Sequence, residues 1–195
     1  MCRSKYQFIG YKRQIISEIK SSCTDPRHDQ QYYCGVQNVF TAVVDAARGP
    51  LGDPFDRKYR VTVKQVFKGD DVALNTTISI YGRSHSCGPT ILDLKREYNI
   101  YANKNGPRLE VVSHEEVPPA YVERLKMYDC TCQIDIHKPS NPSSVNYEDA
   151  PDKCVVATHG RDCQFRNGYC KKTNNLCSWE LFPSALQTTN CVQVL

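Results

Sequence analysis

Apolar and polar residues alternate with a period of two through much of residues 38–113, the pattern of strands with one buried face. "NVFTAVVDAA" (38–47) is a nearly continuous β-rich apolar run. "KYRVTVKQVFKG" (58–69) alternates through Tyr59, Val61 and Val63, then shifts phase at Val66. "ALNTTISIYG" (73–82) alternates through Leu74, Thr76, Ile78 and Ile80. "REYNIYAN" (96–103) puts Tyr98, Ile100 and Ala102 on one face, and "RLEVVS" (108–113) follows the turn "NKNGP". The glycines and prolines of "RGPLGDPFD" (48–56) mark a loop between the first two runs. Five short strands followed by the helical stretch "PAYVERLKMYD" (119–129) predict a mainly β fold, a small Greek-key barrel with flanking helices. A short helix is expected ahead of the first strand. Asp25 would cap it, Pro26 would take its first position and Cys34 its far turns.

After Cys130 the chain turns polar and loop-rich, as in "HKPSNPSSVNYEDAPDK" (137–153). Seven of the eleven cysteines lie there: Cys130, Cys132, Cys154, Cys163, Cys170, Cys177 and Cys191. The others are Cys2, Cys23, Cys34 and Cys87. Structural zinc uses close pairs such as C-x2-C, and none occurs. The five histidines, His28, His85, His114, His137 and His159, stand singly. Disulfides in an oxidising compartment are the expected use of the cysteines, at roughly 2–4 kcal/mol each. The odd count leaves a thiol over or an intermolecular bond. The sequon Asn75-Thr76-Thr77 agrees with secretion and makes Asn75 a glycosylation candidate. No apolar run reaches the roughly 18 residues of a membrane span.

The net charge of +4 is unevenly placed. Residues 1–22 hold five basic residues against Glu18, and the remaining 20 basic and 20 acidic residues balance. A neutral body argues against a nucleic-acid surface. Residues 1–20 lack the apolar core of a signal peptide and read as a basic N-terminal extension. Phe8, Tyr11, Ile15, Ile16 and Ile19 recur at helical spacing, which fits a membrane-surface or partner-binding helix. The plainer reading is an alternative first segment in place of a signal peptide. Cys87 beside His85 offers a nucleophile and a base, but no orienting carboxylate accompanies them, and bridging of Cys87 is the expected state. Trp179 reads as a core or interdomain packing residue.

One family combines these parts in this order. Cys23-x10-Cys34 precedes the first strand, followed by "KQVFKG" (64–69), "SCG" (86–88), "KREY" (95–98), "VPP" (117–119), "CTC" (130–132), "PDKC" (151–154) and "NLCSW" (175–179). Over about residues 21–180 the chain resembles the tissue inhibitors of metalloproteinases, as a divergent member. The resemblance implies a five-stranded OB-like (netrin-like) barrel over 21–130, a small disulfide-rich domain over 131–195, and an extracellular, secreted protein. It implies an inhibitor of secreted zinc metalloproteinases, not an enzyme, with no cofactor or metal of its own. The alternative is a non-inhibitory module binding matrix, sulfated glycans or a receptor. The basic residues Arg161, Arg166, Lys171 and Lys172 are the candidates for glycan contact.

The departures bear on the site. The family's mature chain opens with C-x-C, where this sequence has Ser21-Ser22-Cys23. A cysteine ending the family's fifth strand is matched by Ser113. The resemblance then implies Cys23–Cys87 as a new pair of survivors, with Cys34–Cys130, Cys132–Cys177 and Cys154–Cys170 by family pattern. Cys163–Cys191 would make a fifth bridge and leave Cys2 free. Spacing alone does not choose among roughly 945 pairings of ten cysteines. In the family the first residue's α-amine and carbonyl chelate the protease's zinc, and the second residue enters the specificity pocket. Here those roles fall to Ser21 and Ser22, continued by Cys23, Thr24 and Asp25. Ser84, His85, Ser86, Cys87, Gly88 and Pro89 would be the adjoining contact strip.

Overall fold

The computed structural model describes residues 27–49, 57–82, 84–85, 88–117, 119–137, 151–157 and 166–183. The order is α1 (Asp29–Gly35), β1 (Asn38–Arg48), β2 (Lys58–Lys68), β3 (Thr77–Tyr81), β4 (Ser84–His85), β5 (Gly88–Pro89), β6 (Glu97–Asn105), β7 (Arg108–Glu116), α2 (Pro119–Met127), β8 (Gln133–His137), β9 (Lys153–Ala157), β10 (Gly168–Thr173) and β11 (Leu176–Leu181). Five strands pair in the order β1-β2-β3-β7-β6, and β6 returns to β1, so the sheet closes on itself. All neighbours are antiparallel except β3 and β7, which run parallel and meet at Tyr81 and Glu110.

The alternation read from the sequence is the inward face of this barrel. Phe40, Ala42 and Val44 of β1 pack with Tyr59, Val61 and Val63 of β2, Ile80 of β3, Tyr98, Ile100 and Ala102 of β6, and Leu109 and Val111 of β7. The phase shift before Val66 is a bulge: Ala42 pairs with Val63 and Thr41 with Gln65, so Lys64 is an extra residue on β2. The apolar run of β1 is nearly continuous because its other face is buried too. Val39 and Tyr101 of β6 point away from the barrel and pack with Val36, Leu125, Tyr128, Tyr169 and Phe182. This second core joins both sides of residue 130. Gly69, which follows β2, has φ +94°, and a Cβ there would lie 2.6 Å from the Gln37 carbonyl. Only glycine fits that place.

Three expectations need correction. The helix begins at Asp29, and its cap is His28 instead of Asp25; residues 25 and 26 lie outside the described residues. The third strand starts at Thr77, with Leu74 in an exposed turn, because Asn75 adopts φ 60° and breaks the extended run. The segment after Cys130 holds regular structure: β8 and β9 pair in parallel, and β10 and β11 form a hairpin. Asn174 and Asn175, with φ 52° and 64°, make the turn that suits such a hairpin.

The disulfides Cys34–Cys130, Cys132–Cys177 and Cys154–Cys170 are present, and they join the pairs that the family pattern implies. The last two bridges lie side by side in a small core with Ile134 and Trp179. The Sγ atoms of Cys132, Cys170 and Cys177 therefore fall within 4.8 Å of one another, each already committed to a sulfur partner.

Candidate functional site

The expected site has two parts: the chain leading into α1, and the strip at residues 84–89. Ser21, Ser22, Cys23, Thr24 and Asp25 lie outside the described residues, as do Ser86 and Cys87 and the bridges proposed for Cys23–Cys87 and Cys163–Cys191. What the structure describes is the support beneath each part.

The chain leading into α1 is anchored by its first residues. His28 is 3% exposed and sits edge-on to Trp179, with ring centroids 5.2 Å apart. Its Nδ1 accepts from the Gln30 backbone N–H at 3.2 Å, while its own N–H donates to Gln31 Oε1 at 2.9 Å. This is a capping box with histidine in the usual place of serine or threonine. Two adjacent glutamines then reach into the C-terminal half. Gln30 bonds the backbone of Asp129 and Cys170, and Gln31 Nε2 donates to the Ile134 carbonyl at 2.9 Å. The first turn of α1 is thus held from three sides, whatever precedes it.

Burial drives the His28 imidazole below its ordinary pKa, and the Arg124 guanidinium adds to the fall; Asp29 and the bond to the Gly168 backbone oppose it. The neighbouring Tyr128 phenol, pushed up by burial, stays neutral. The unfolded chain therefore binds the proton more readily than the fold. The stability from this residue is fully present above the unfolded pKa near 6.5 and is lost as pH falls through that value towards the lower folded one. Urea midpoints measured from pH 8 to pH 5 should fall for the parent chain. In His28→Asn, which keeps a capping oxygen, they should fall less. Equal slopes would remove His28 from the acid response.

The second part is a small hairpin. Ser84 pairs with Pro89 and His85 with Gly88. β4 ends at His85, so Cys87 does not share a described strand with it. The base of the hairpin is fixed to the barrel by one buried phenol. Tyr59 Oη donates to the Thr90 carbonyl at 2.9 Å and accepts from the Leu92 N–H at 3.3 Å. The Gly82 N–H donates to the Arg57 carbonyl at 2.7 Å on the other side. A Cβ on Gly82 would stand 3.3 Å from both Thr90 Cβ and the Tyr59 ring, so the two ends of the hairpin cross closely over Tyr59. Tyr59→Phe removes both of these buried bonds and is expected to cost about 1–3 kcal/mol. Amide exchange at Leu92 should quicken more than at Ile100. Unchanged exchange there would mean that the phenol does not tie the hairpin down.

The remaining candidates are placed as follows. Asn75 and Thr77 are exposed, as a glycan acceptor requires. Ser113 lies half-buried in β7 opposite Tyr101 and provides no sulfur to a bridge. Trp179 is half-buried between the halves, and its Nε1 donates to the Val155 carbonyl at 2.9 Å. Of the C-terminal basic residues, Arg161 lies outside the described residues, Lys171 stands 3.9 Å from Glu180, and the Lys172 N–H donates to Asp129. No helix among the described residues is long and apolar enough to cross a membrane.

Sequence reasoning missed His28, Gln30 and Gln31 as positioning residues. The signal was present in His28-Asp29-Gln30-Gln31, a capping-box spacing with glutamine three residues after the cap. No family model and no curated protein matches the chain.

Proposed function

We propose that this chain is an extracellular protein inhibitor of secreted zinc metalloproteinases, built on an OB-like, netrin-like barrel. The observation that carries the reading is the joint presence of two independent features. One is the closed strand order β1-β2-β3-β7-β6 with a single parallel junction, which supports an OB-like barrel. The other is three disulfides on the cysteine pairs of the inhibitor family.

The chemistry requires a free N-terminus at Ser21. An α-amine of pKa about 7.7–8.0 can shed its proton and offer zinc a lone pair. A peptide nitrogen cannot, because its lone pair is delocalised into the carbonyl. Ser21 then chelates the protease's zinc through its amine and carbonyl, and Ser22 fills the specificity pocket. The anchored first turn of α1 and the tethered hairpin supply rigidity, which spares the ordering cost of a loose edge. With residues 1–20 attached, Ser21 has no α-amine and the edge is masked.

The second reading is a non-inhibitory extracellular module that binds matrix, glycan or receptor. It is favoured by Ser21 and Ser113 standing where the family has cysteines, so two bridges of the edge each lack a partner. Titrating a matrix-type zinc protease with two oxidised forms separates the readings, one form starting at Met1 and the other at Ser21. The inhibitor reading expects only the Ser21 form to inhibit. If both fold and neither inhibits, the binding module stands instead.

A further inference from the structure

The sequence holds two Asn-Gly pairs, Asn105-Gly106 and Asn167-Gly168, and the fold treats them differently. An asparagine followed by glycine is open to one intramolecular reaction. The glycine backbone nitrogen can attack the asparagine Cγ, because no side chain on the glycine hinders the approach. The structure leaves that route open at one pair. Gly106 and Pro107 form the two-residue turn between β6 and β7, with Gly106 at φ 57°. Residues 104–108 are all exposed, and nothing stands within 4 Å of the place a Gly106 Cβ would take. Among the described residues no carbonyl accepts from the Gly106 N–H, so the attacking nitrogen faces water. Gly168, by contrast, is buried in β10 opposite Leu181, and the Asn167 carbonyl is held by the Phe182 N–H at 2.9 Å.

The contacts of Asn105 give the reaction a consequence. Its Nδ2 donates to Glu110 Oε1 at 2.9 Å, and its backbone pairs with Arg108. Both partners flank Tyr81. Glu110 meets Tyr81 where β3 and β7 close the barrel, and the Arg108 guanidinium lies 4.8 Å from the Tyr81 ring centroid. We propose that Asn105 is a spontaneous modification site, converting with water to aspartate and isoaspartate, and that the change loosens the barrel closure at Tyr81. The Gly106 nitrogen gives up its proton and bonds to Asn105 Cγ. The Cγ–Nδ2 bond breaks, and ammonia leaves with that proton. The product is a five-membered cyclic imide. Water then opens it at Cγ, giving aspartate, or at the Asn105 backbone carbonyl, giving isoaspartate. Only water enters and only ammonia leaves. Either product replaces an amide donor by a carboxylate, which faces the Glu110 carboxylate on the diagonal of one strand pair, where like charges repel. Isoaspartate also adds a methylene to the backbone of β6 and disturbs the pairing with Arg108. This chemistry is independent of zinc chelation.

The test holds the full oxidised chain at physiological pH and temperature. Peptide mapping by mass spectrometry follows amide-to-acid conversion at both pairs, and chromatography separates aspartate from isoaspartate. Conversion at Asn105 should run about tenfold faster or more than at Asn167, where the strand must open first. Isoaspartate should accumulate in the Asn105 peptide, which direct attack of water on the side-chain amide does not produce. Hydrogen exchange at Tyr81 and Glu110 should be about two- to fivefold faster in the aged chain and in fresh Asn105→Asp, with little change at Val39. Asn105→Gln keeps an amide but resists closure of the ring, and it should age without either change. Equal rates at the two pairs, or no isoaspartate at Asn105, would overturn the modification site. Unchanged exchange at Tyr81 in both the aged chain and Asn105→Asp would overturn the link to barrel closure. The same loss of protection in aged Asn105→Gln would overturn that link as well.

Discussion

Replacing Cys34 and Cys130 together by alanine is expected to lower the unfolding free energy by about 4–5 kcal/mol. The bridge spans 96 residues and encloses the whole barrel. A closed loop of about 100 residues removes roughly 4.7 kcal/mol of chain entropy from the unfolded state. The other two described bridges span 45 and 16 residues and lie wholly after residue 130, so neither substitutes for it. The bridge also ties the last turn of α1 to the segment beyond α2, which keeps Tyr33 packed edge-on to Tyr128 at 5.5 Å. For a chain of this size the loss corresponds to a fall in Tm of roughly 10–20 °C. Thermal and urea unfolding of the double variant, with the other bridges kept oxidised, checks it. A loss below about 1 kcal/mol would mean that the unfolded chain is already compact enough to need no tether.

Gln30→Met is expected to cost about 3–5 kcal/mol, a large effect for a side chain outside both the barrel and the cysteine core. Gln30 is 1% exposed. Its Nε2 donates to the Asp129 and Cys170 carbonyls, both at 2.7 Å, and its Oε1 accepts from the Cys170 N–H at 2.8 Å. Methionine matches the volume but satisfies none of them. Each bond contributes about 1 kcal/mol, and each buried group left unpaired adds about 1–3 kcal/mol. The Asp129 carbonyl is only partly buried, which holds the sum to the stated range. The loss should appear first in the C-terminal half, with faster amide exchange at Cys170 than at Val61. An unchanged urea midpoint with Cys170 still protected would refute the role. Gln30 and the Cys34–Cys130 bridge hold the same helix, so their losses should not add. The triple variant measures that coupling.

Different parts of the molecule were legible for different reasons. Tyr59, Val61 and Val63, or Tyr98, Ile100 and Ala102, declare an inward face by alternation alone, and each is buried in the barrel. The phase shift before Val66 was visible because a bulge adds one residue to a local count. The strands after Cys130 were not legible. β8 and β9 are short and pair in parallel across an intervening segment, so no local turn announces them. Their hairpin neighbour turns at Asn174-Asn175, a weaker signal than Asn-Gly.

The sequence by itself determined which residues face the barrel interior and where the disulfide-rich half begins, because periodicity and composition are local properties of the chain. Only the tertiary structure decided that the sheet closes through Tyr81 and Glu110 and that Gln30 meets Cys170 across 140 residues. It alone separated two identical Asn-Gly pairs, leaving Gly106 in an open turn and setting Gly168 into a buried strand. Those facts depend on register and long-range pairing, where the partner of each residue is set by the packing of the whole chain and not by its neighbours in sequence.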